Sequence, residues 1–412
     1  VKKLLVISRF CPSDAARYAG SKTHNYYLKR LALDFEVKLI SFAAPNECPS
    51  FDLKEYGIDH DVSLVDGGPR NIPLFLLYNW WNAPNYFGKT LGLINGYLRH
   101  ILVKKLLALR DRKYLPDIVL LEWTQILLMV REIKKVYPAA LYVASEHDVT
   151  FLRLRRQLAA ARGLAWIREK LRCESLAKAE LASLRLVDVI APHSAADANL
   201  LVKNGLPASN IRTIAPYVAD FSTVNYRPAG RQILFYGAMD REDNYKGAIW
   251  FMERVFFPLL PLSFTLCILG GCPHRSLDKY RSERVVVTGF VADLRLYFSQ
   301  SLCMAAPLLL GAGIKVKVIE AMSAGLPVLA NRVAMEGIPA VHGVHYLHCE
   351  QPGDYKEALD AIAEGRIDGA ALSKNARELV AAAFNRDASY AAYKDFILSR
   401  FAQTASQRTV RP

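Results

Sequence analysis

The sequence predicts two α/β units in tandem, each a parallel β-sheet wrapped by helices. Three observations carry that prediction. The chain has 412 residues, too long for one ordinary domain and comfortable for two. Apolar runs of strand length alternate with longer amphipathic stretches of helical length, and strands spaced by helices pair in parallel through right-handed crossovers. The alternation breaks once, near residues 216–231, where a turn-rich stretch lacks apolar periodicity.

The first series opens at residues 4–8, Leu-Leu-Val-Ile-Ser, straight after Val1-Lys2-Lys3. That run is too short for the core of a signal peptide and no small-residue cleavage site follows, so it reads as a first strand. A loop holding Gly20 and Ser21 leads to an amphipathic helix over 22–33. Strands are expected at 36–42, 61–65, 117–122, 139–145, 187–191 and 211–215. The second series runs 232–236, 264–269, 284–288, 302–306 and 327–330, with helices such as 248–257 and 317–324 between them. The expected organisation is a first domain over 1–218, a linker over 219–231 and a second domain over 232–385. A C-terminal helix with a polar tail, 386–412, packs back on the first domain.

Composition fits buried cores: 52% of residues are hydrophobic and 22% charged. The longest apolar runs, such as 118–121 and 302–310, are strand-sized or strand plus loop, so no transmembrane helix is expected. The seven cysteines form no CxxC pair and are odd in number, which points to a reducing cytosol over a disulfide framework. The formal charge is +14, and the first 225 residues hold 31 Lys+Arg against 21 Asp+Glu. A basic surplus attracts nucleic acid, anionic lipid or a phosphorylated acceptor, or is merely a solvated face. No nucleic-acid module accompanies it, so nucleic acid is not expected as a partner. Two stretches exceed a minimal α/β unit. One, 73–109, is aromatic (Tyr78, Trp80, Trp81, Tyr86, Phe87, Tyr97); the other, 151–172, is basic (Arg153, Arg155, Arg156, Arg162, Arg168, Lys170, Arg172). Together they suit either peripheral contact with anionic lipid headgroups or ordinary basic helices.

The segment richest in chemistry runs from Ala306 to Val328: APLLLGAGIKVKVIEAMSAGLPV. A buried strand ends at Pro307, a loop with Gly311 and Gly313 follows, then a helix of about three turns stops at Gly325. Glycines let backbone approach a ligand closely, and a helix start offers free N–H groups and partial positive charge to a diphosphate. Lys315 and Lys317 add charge there. Glu320, three residues on, shares a helix face with Lys317 and can accept hydrogen bonds from two ribose hydroxyls.

This segment resembles the donor-binding signature of family 4 glycosyltransferases, in the branch with a G-A-G-I-K-x-K-x-x-E-A-M motif. Residues 233–240 (ILFYGAMD), 287–294 (VTGFVADL) and 334–338 (AMEGI) resemble further landmarks of that family, the second being its base-binding loop with Phe290. The resemblance is detailed over 232–340 and looser elsewhere. It implies a GT-B fold, two Rossmann-like domains facing across a cleft, with the donor nucleotide on the second and the acceptor on the first. It implies transfer of a sugar, with retained anomeric configuration and no metal or other cofactor, from a nucleotide-diphosphate sugar, UDP ahead of GDP. The acceptor would be a glycan or lipid-linked glycan in bacterial-type polysaccharide or glycoconjugate assembly, in the cytoplasm or at the inner membrane face.

Carried over residue by residue, Glu320 is the ribose ligand, and Lys315, Lys317, Gly311, Gly313 and Ile314 surround the diphosphate. Arg241 and Lys246 are the nearest equivalents of an Arg–Lys pair that holds the diphosphate in other members, at longer spacing from Gly237. The family's sugar-side glutamate falls at Ala312, which leaves the sugar open. In the first domain Gly20 matches a first-loop glycine. His147 and Asp148 end a strand near the donor sugar: His147 hydrogen-bonds it or stabilises developing positive charge through its carbonyl, and Asp148 or Glu146 takes the acceptor's proton. Glu174 resembles a recurrent glutamate of undefined role.

Other constellations are set aside. Asp59-His60-Asp61 has DxD spacing but lies away from the donor segment. His342, His345 and His348 sit beside Cys349 in a turn and short strand, where every-third spacing does not converge on zinc. Two alternatives stay open: another GT-B enzyme such as a nucleotide-sugar epimerase, against which the G-A-G-I-K-x-K segment argues, and an inactive GT-B-shaped binding protein, favoured only by Ala312.

Overall fold

The computed structural model describes residues 1–14, 18–43, 52–65, 73, 96–160 and 162–409. Tyr78, Trp80, Trp81, Tyr86 and Phe87 lie outside the described residues. The chain forms two compact units: Val1–Ile214 with Asp387–Pro412, and Ala215–Arg386.

The first unit holds β1 (Lys3–Ser8), β2 (Glu36–Ala43), β3 (Asp59–Leu64), β4 (Ile118–Glu122), β5 (Leu141–Glu146) and β6 (Val189–Pro192). All pair in parallel, in the order β3-β2-β1-β4-β5-β6. Side chains alternate across a strand, so Leu5 and Ile7 enter one core with Val119 and Leu121. Leu4 and Val6 enter the other with Ile118 and Leu120. The C-terminal helix, Arg386–Thr409, covers that second face: Tyr393 and Ile397 join its core, and Tyr390 donates to the Arg30 carbonyl at 2.8 Å.

The second unit holds β7 (Gln232–Tyr236), β8 (Thr265–Leu269), β9 (Val285–Gly289), β10 (Cys303–Ala306), β11 (Val328–Ala330) and β12 (Leu347–His348), in the order β12-β11-β10-β7-β8-β9. Counted from its own first strand this is the same winding. In both sheets the order reverses beside the first strand, at β1/β4 and at β7/β10. In open α/β sheets ligands bind beyond the strand C-termini at that reversal.

Three expectations are corrected. Residues 211–215 are not a strand: Ile211 makes one bridge to Ile190, and Pro216 pushes the chain out of the ladder. The first helix starts at Ala19, so Gly20 lies in its first turn and not in the preceding loop. The helix after Gly313 is Val316–Ser323, nearer two turns than three. It stops where Gly325 adopts φ +72°, and a Cβ there would stand 2.3 Å from Arg377 Nε. Arg377 donates to the Ala324 and Ser222 carbonyls at 2.6 Å each, so the stretch expected as a linker is strapped to the second unit.

Candidate nucleotide and sugar site

In the second unit the reversal point gathers most of the expected donor residues. β10 ends at Ala306 and the loop beyond it turns at Gly311 (φ +113°) and Gly313 (φ +71°), conformations that suit glycine. The Val316–Ser323 helix then points its first N–H groups at the loop. Lys317 is partly buried; its ammonium donates to Asn244 Oδ1 at 2.5 Å and lies over the Phe235 ring. Burial pulls its pKa down to about 7, with Arg241 and Lys315 adding repulsion against the pull of Asp243. One turn on, Glu320 accepts a hydrogen bond from Tyr236, the last residue of β7, at 3.1 Å. Lys315 is buried, donates to the Gly313 carbonyl and lies 3.6 Å from Glu336. It braces the loop from inside.

The remaining donor candidates stand further out. Arg241 is half exposed and paired with Asp243 at 3.2 Å. Asp243 in turn lies 3.6 Å from where a Cβ on Gly311 would be, so this pair borders the glycine loop. Lys246 pairs with Glu242 one turn away on the exposed face of the Glu242–Phe251 helix. Phe290 is 81% exposed beside Gly271, past the end of β9. Ile314 is half-buried in the loop.

In the first unit a second polar cluster lies at the matching edge. Glu122 ends β4 and is buried. Its carboxylate meets His147 Nε2 at 2.8 Å and His24 Nδ1 at 3.3 Å. Burial alone would raise its pKa, but the two histidines hold it well below the usual carboxylate range. Trp123 stacks on His147 with ring centres 4.5 Å apart, and His193 lies at 4.8 Å on a tilted plane. Burial, then His147, lowers the pKa of His193 to about 3. A Cβ on Gly20 would stand 3.4 Å from His147 Nδ1, so the two residues are neighbours.

Next to this cluster two buried carboxyls share the Thr124 hydroxyl, Glu146 and Glu180, each at 3.4 Å. Glu180 accepts the Thr150 and Phe151 N–H groups at 3.0 Å, capping the Thr150–Ala160 helix. Burial pushes Glu180 up to about 7 and, with the repulsion of Glu180 and Asp148, raises Glu146 well above the usual range. Burial thus favours the neutral form of Glu146. Asp148 is paired with Arg153 at 3.2 Å.

Residues 230–365 match the family model described as glycosyl transferases group 1. No curated protein matches the sequence. Among solved structures, sucrose-phosphate synthase from Thermosynechococcus elongatus is 17% identical, with 98% of this chain and 100% of that one covered at a TM-score of 0.71. Anabaena HepE in complex with UDP and glucose is 13% identical, with 97% and 100% covered at 0.65. The lipopolysaccharide outer core galactosyltransferase WaaB is 13% identical, with 97% and 99% covered at 0.60. The fold is GT-B.

Within this GT-B chain the structure brings Gly311, Gly313, Lys315, Lys317 and Glu320 together, and separately Gly20 with His147. It leaves Lys246 on an outer helix face. The glutamate with a visible role is Glu180; Glu174 is exposed. Sequence reasoning missed Glu122, His24, His193, Tyr236 and Asn244. A signal existed for two of them: Glu122 and Tyr236 are the last residues of strands flanking each reversal, where α/β ligands bind. Asp59 and Asp61 lie on edge strand β3, paired with Lys38 and Lys105. His342 and His345 each accept a backbone N–H, from His348 and Val341. Among the described residues no three His, Cys, Asp or Glu gather to hold a metal, and no helix is long and apolar enough to cross a membrane.

Proposed function

We propose that the protein is a retaining glycosyltransferase that moves a hexosyl-type sugar from a nucleotide-diphosphate sugar, UDP-linked ahead of GDP-linked, to a glycan or lipid-linked acceptor. One observation carries this reading. At the reversal point of the second sheet a glycine loop, a helix N-terminus, Lys317 and the Tyr236-anchored Glu320 converge, a set that matches a diphosphate joined to a ribose. The group 1 family model over the same residues supports it, and the solved complexes of Anabaena HepE with UDP and UDP-glucose favour uridine.

In the reaction the bond from the anomeric carbon to the diphosphate oxygen breaks and the acceptor oxygen bonds the same carbon on the same face. Lys317, Lys315, Arg241 and the helix N–H groups would stabilise the leaving diphosphate, so no metal is invoked. Of the two carboxyls considered for the acceptor's proton, Glu146 is buried and disfavoured as an anion, whereas Asp148 is partly exposed, so Asp148 is the better base. Retention rests on the resemblance of residues 306–328.

We further propose peripheral association with anionic membrane at the cytoplasmic face. Trp166, Ile167 and Leu171 are exposed on the Gly163–Leu184 helix, with the Lys170 ammonium 5.0 Å from the Trp166 ring. Flotation with anionic liposomes at low salt should carry the protein upward, and no flotation ends that part of the reading.

The central test is a nucleotide-sugar panel read by thermal shift and donor turnover. A donor at 100 times its Kd should add about 2.7 kcal/mol of stability. Lys317→Ala and Glu320→Ala should abolish turnover. A chain that answers to no nucleotide or nucleotide sugar is not a glycosyltransferase. One that binds a donor without turning it over is the inactive form that Ala312 favours.

A further inference from the structure

The cluster at the end of β4 fixes more than the position of His147. An ionised carboxylate only accepts hydrogen bonds. Glu122 is hydrogen-bonded to His147 at Nε2, 2.8 Å away, so that imidazole turns its N–H toward the carboxylate, while His24 Nδ1 lies 3.3 Å off. A neutral imidazole carries one N–H, so with Nε2 protonated its Nδ1 is a bare lone pair.

The ring is also held by its faces. Trp123 stacks on it at an interplanar angle of 22°, and Phe10 and His24 meet Trp123 edge-on at 5.1 and 5.3 Å. Trp123 has φ +69° and ψ 149°, a region nearly reserved for glycine that costs about 1–3 kcal/mol. Beyond Nδ1 stands Gly20, whose missing Cβ would have come within 3.4 Å. The titratable groups around the carboxylate are His24 from the Ala19–Leu31 helix, His147 after β5, His193 after β6 and Tyr393 from the C-terminal helix.

We propose that Glu122 is a positioning residue: by holding His147 in its Nε2–H tautomer it turns Nδ1 toward Gly20 as a hydrogen-bond acceptor, which takes a substrate hydroxyl and not a phosphate oxygen. A phosphate oxygen brings no hydrogen to a lone pair, whereas every sugar hydroxyl does. The identity of that hydroxyl as one of a glycosyl donor or acceptor rests on the function proposed above; the tautomer does not.

Nitrogen-15 spectra of the histidine rings at pH 8 test this, with the His147 signals identified by their loss in His147→Gln. The expected pattern is a protonated Nε2 and a bare Nδ1. In Glu122→Gln the side-chain amide can donate to Nε2, so the proton should move to Nδ1. Nucleotide-sugar kcat/KM should then fall about tenfold or more, while the Kd of UDP, which lacks the sugar, stays within about twofold. A wild-type His147 protonated at Nδ1 overturns the proposal without any variant. So does a Glu122→Gln protein with unchanged tautomer and kcat/KM, or one whose UDP affinity falls in step with kcat/KM. A wild-type protein that turns over no nucleotide sugar removes the transferase reading alone, and the spectra still decide the role of Glu122.

Discussion

The two units share one winding and use its reversal point differently. In the second, the polar groups come mostly from one stretch, Gly311–Glu320, and they present cations and N–H groups. In the first, they come from four places, His24, Glu122, His147 and His193, around one hydrogen bond between Glu122 and His147. An anion grip is a local device: glycines, a helix start and a lysine one turn along suffice. Orienting a hydroxyl takes side chains from several elements, as where Glu122 at the end of β4 holds His147 after β5.

The sharpest way to break this contrast is Lys317→Met, which keeps the stem and removes the charge. We expect turnover to fall about 10²- to 10³-fold, the usual loss for one preorganised charge stabiliser. Two linked effects follow from a pKa near 7 in place of the ordinary 10.5. Between about pH 7 and 10.5 the unfolded chain binds more protons at this site than the native one, so its contribution makes native stability rise with pH across that window. Below about 7 the cost of burying the charge stands in full. Lys317→Met should remove that slope and match or exceed wild-type stability at pH 7. A bound diphosphate should draw a proton onto Lys317, so UDP binding at pH 8 should take up as much as one proton, read by calorimetry in buffers of different ionisation enthalpy. Binding with no proton exchange would mean that Lys317 is already charged.

The corresponding change in the first unit is smaller. Gly20→Ala places a methyl 3.4 Å from His147 Nδ1. The helix tolerates alanine, so melting temperature should hold or rise, while kcat/KM falls about tenfold, or 1.4 kcal/mol. Unchanged activity would show that the space before Nδ1 is not used.

This contrast also explains what could be read from the sequence. The alternation of apolar runs marks eleven of the twelve strands of the described residues, because parallel strands buried on both faces leave continuous Val, Leu and Ile runs. The glycine loop and the helix after it are legible because their parts are contiguous. The first cluster was not: Glu122 and His24 are 98 positions apart and meet only because β4 lies beside β1, whose C-terminus feeds the first helix. The 211–215 run reads as a strand because Ile-Arg-Thr-Ile has that apolar character, while the proline that keeps it out of the ladder lies just outside. Lys246 rests on analogy of spacing alone, and in the structure it pairs with Glu242 one turn away.

Tyr236→Phe tests the anchor of Glu320 and should act modestly. The variant loses one hydrogen bond to a carboxylate, so the donor KM should rise about fivefold, near 1 kcal/mol, with kcat little changed. An equal fall in kcat would mean that Glu320 acts in the transition state and not only on the ribose.

The smallest expected effect is the most diagnostic for the first unit. Glu146 is buried, its Oε1 has no partner among the described residues, and burial together with Glu180 raises its pKa well above the usual range. A carboxyl whose neutral form is favoured by burial loses little on becoming an amide, so Glu146→Gln should change stability at neutral pH by under about 0.5 kcal/mol. Glu180→Gln should cost more, about 1–2 kcal/mol, because its two oxygens accept two helix N–H groups and glutamine has one. The sign of the pH dependence separates the cases further. A raised native pKa contributes stability that is present at low pH and lost as pH climbs through that pKa. Wild type should therefore weaken toward alkaline pH more steeply than Glu146→Gln, and the two denaturation profiles should diverge there. If Glu146→Gln instead costs several kcal/mol at pH 7, Glu146 is ionised in the native protein and returns as a candidate for the acceptor's proton alongside Asp148.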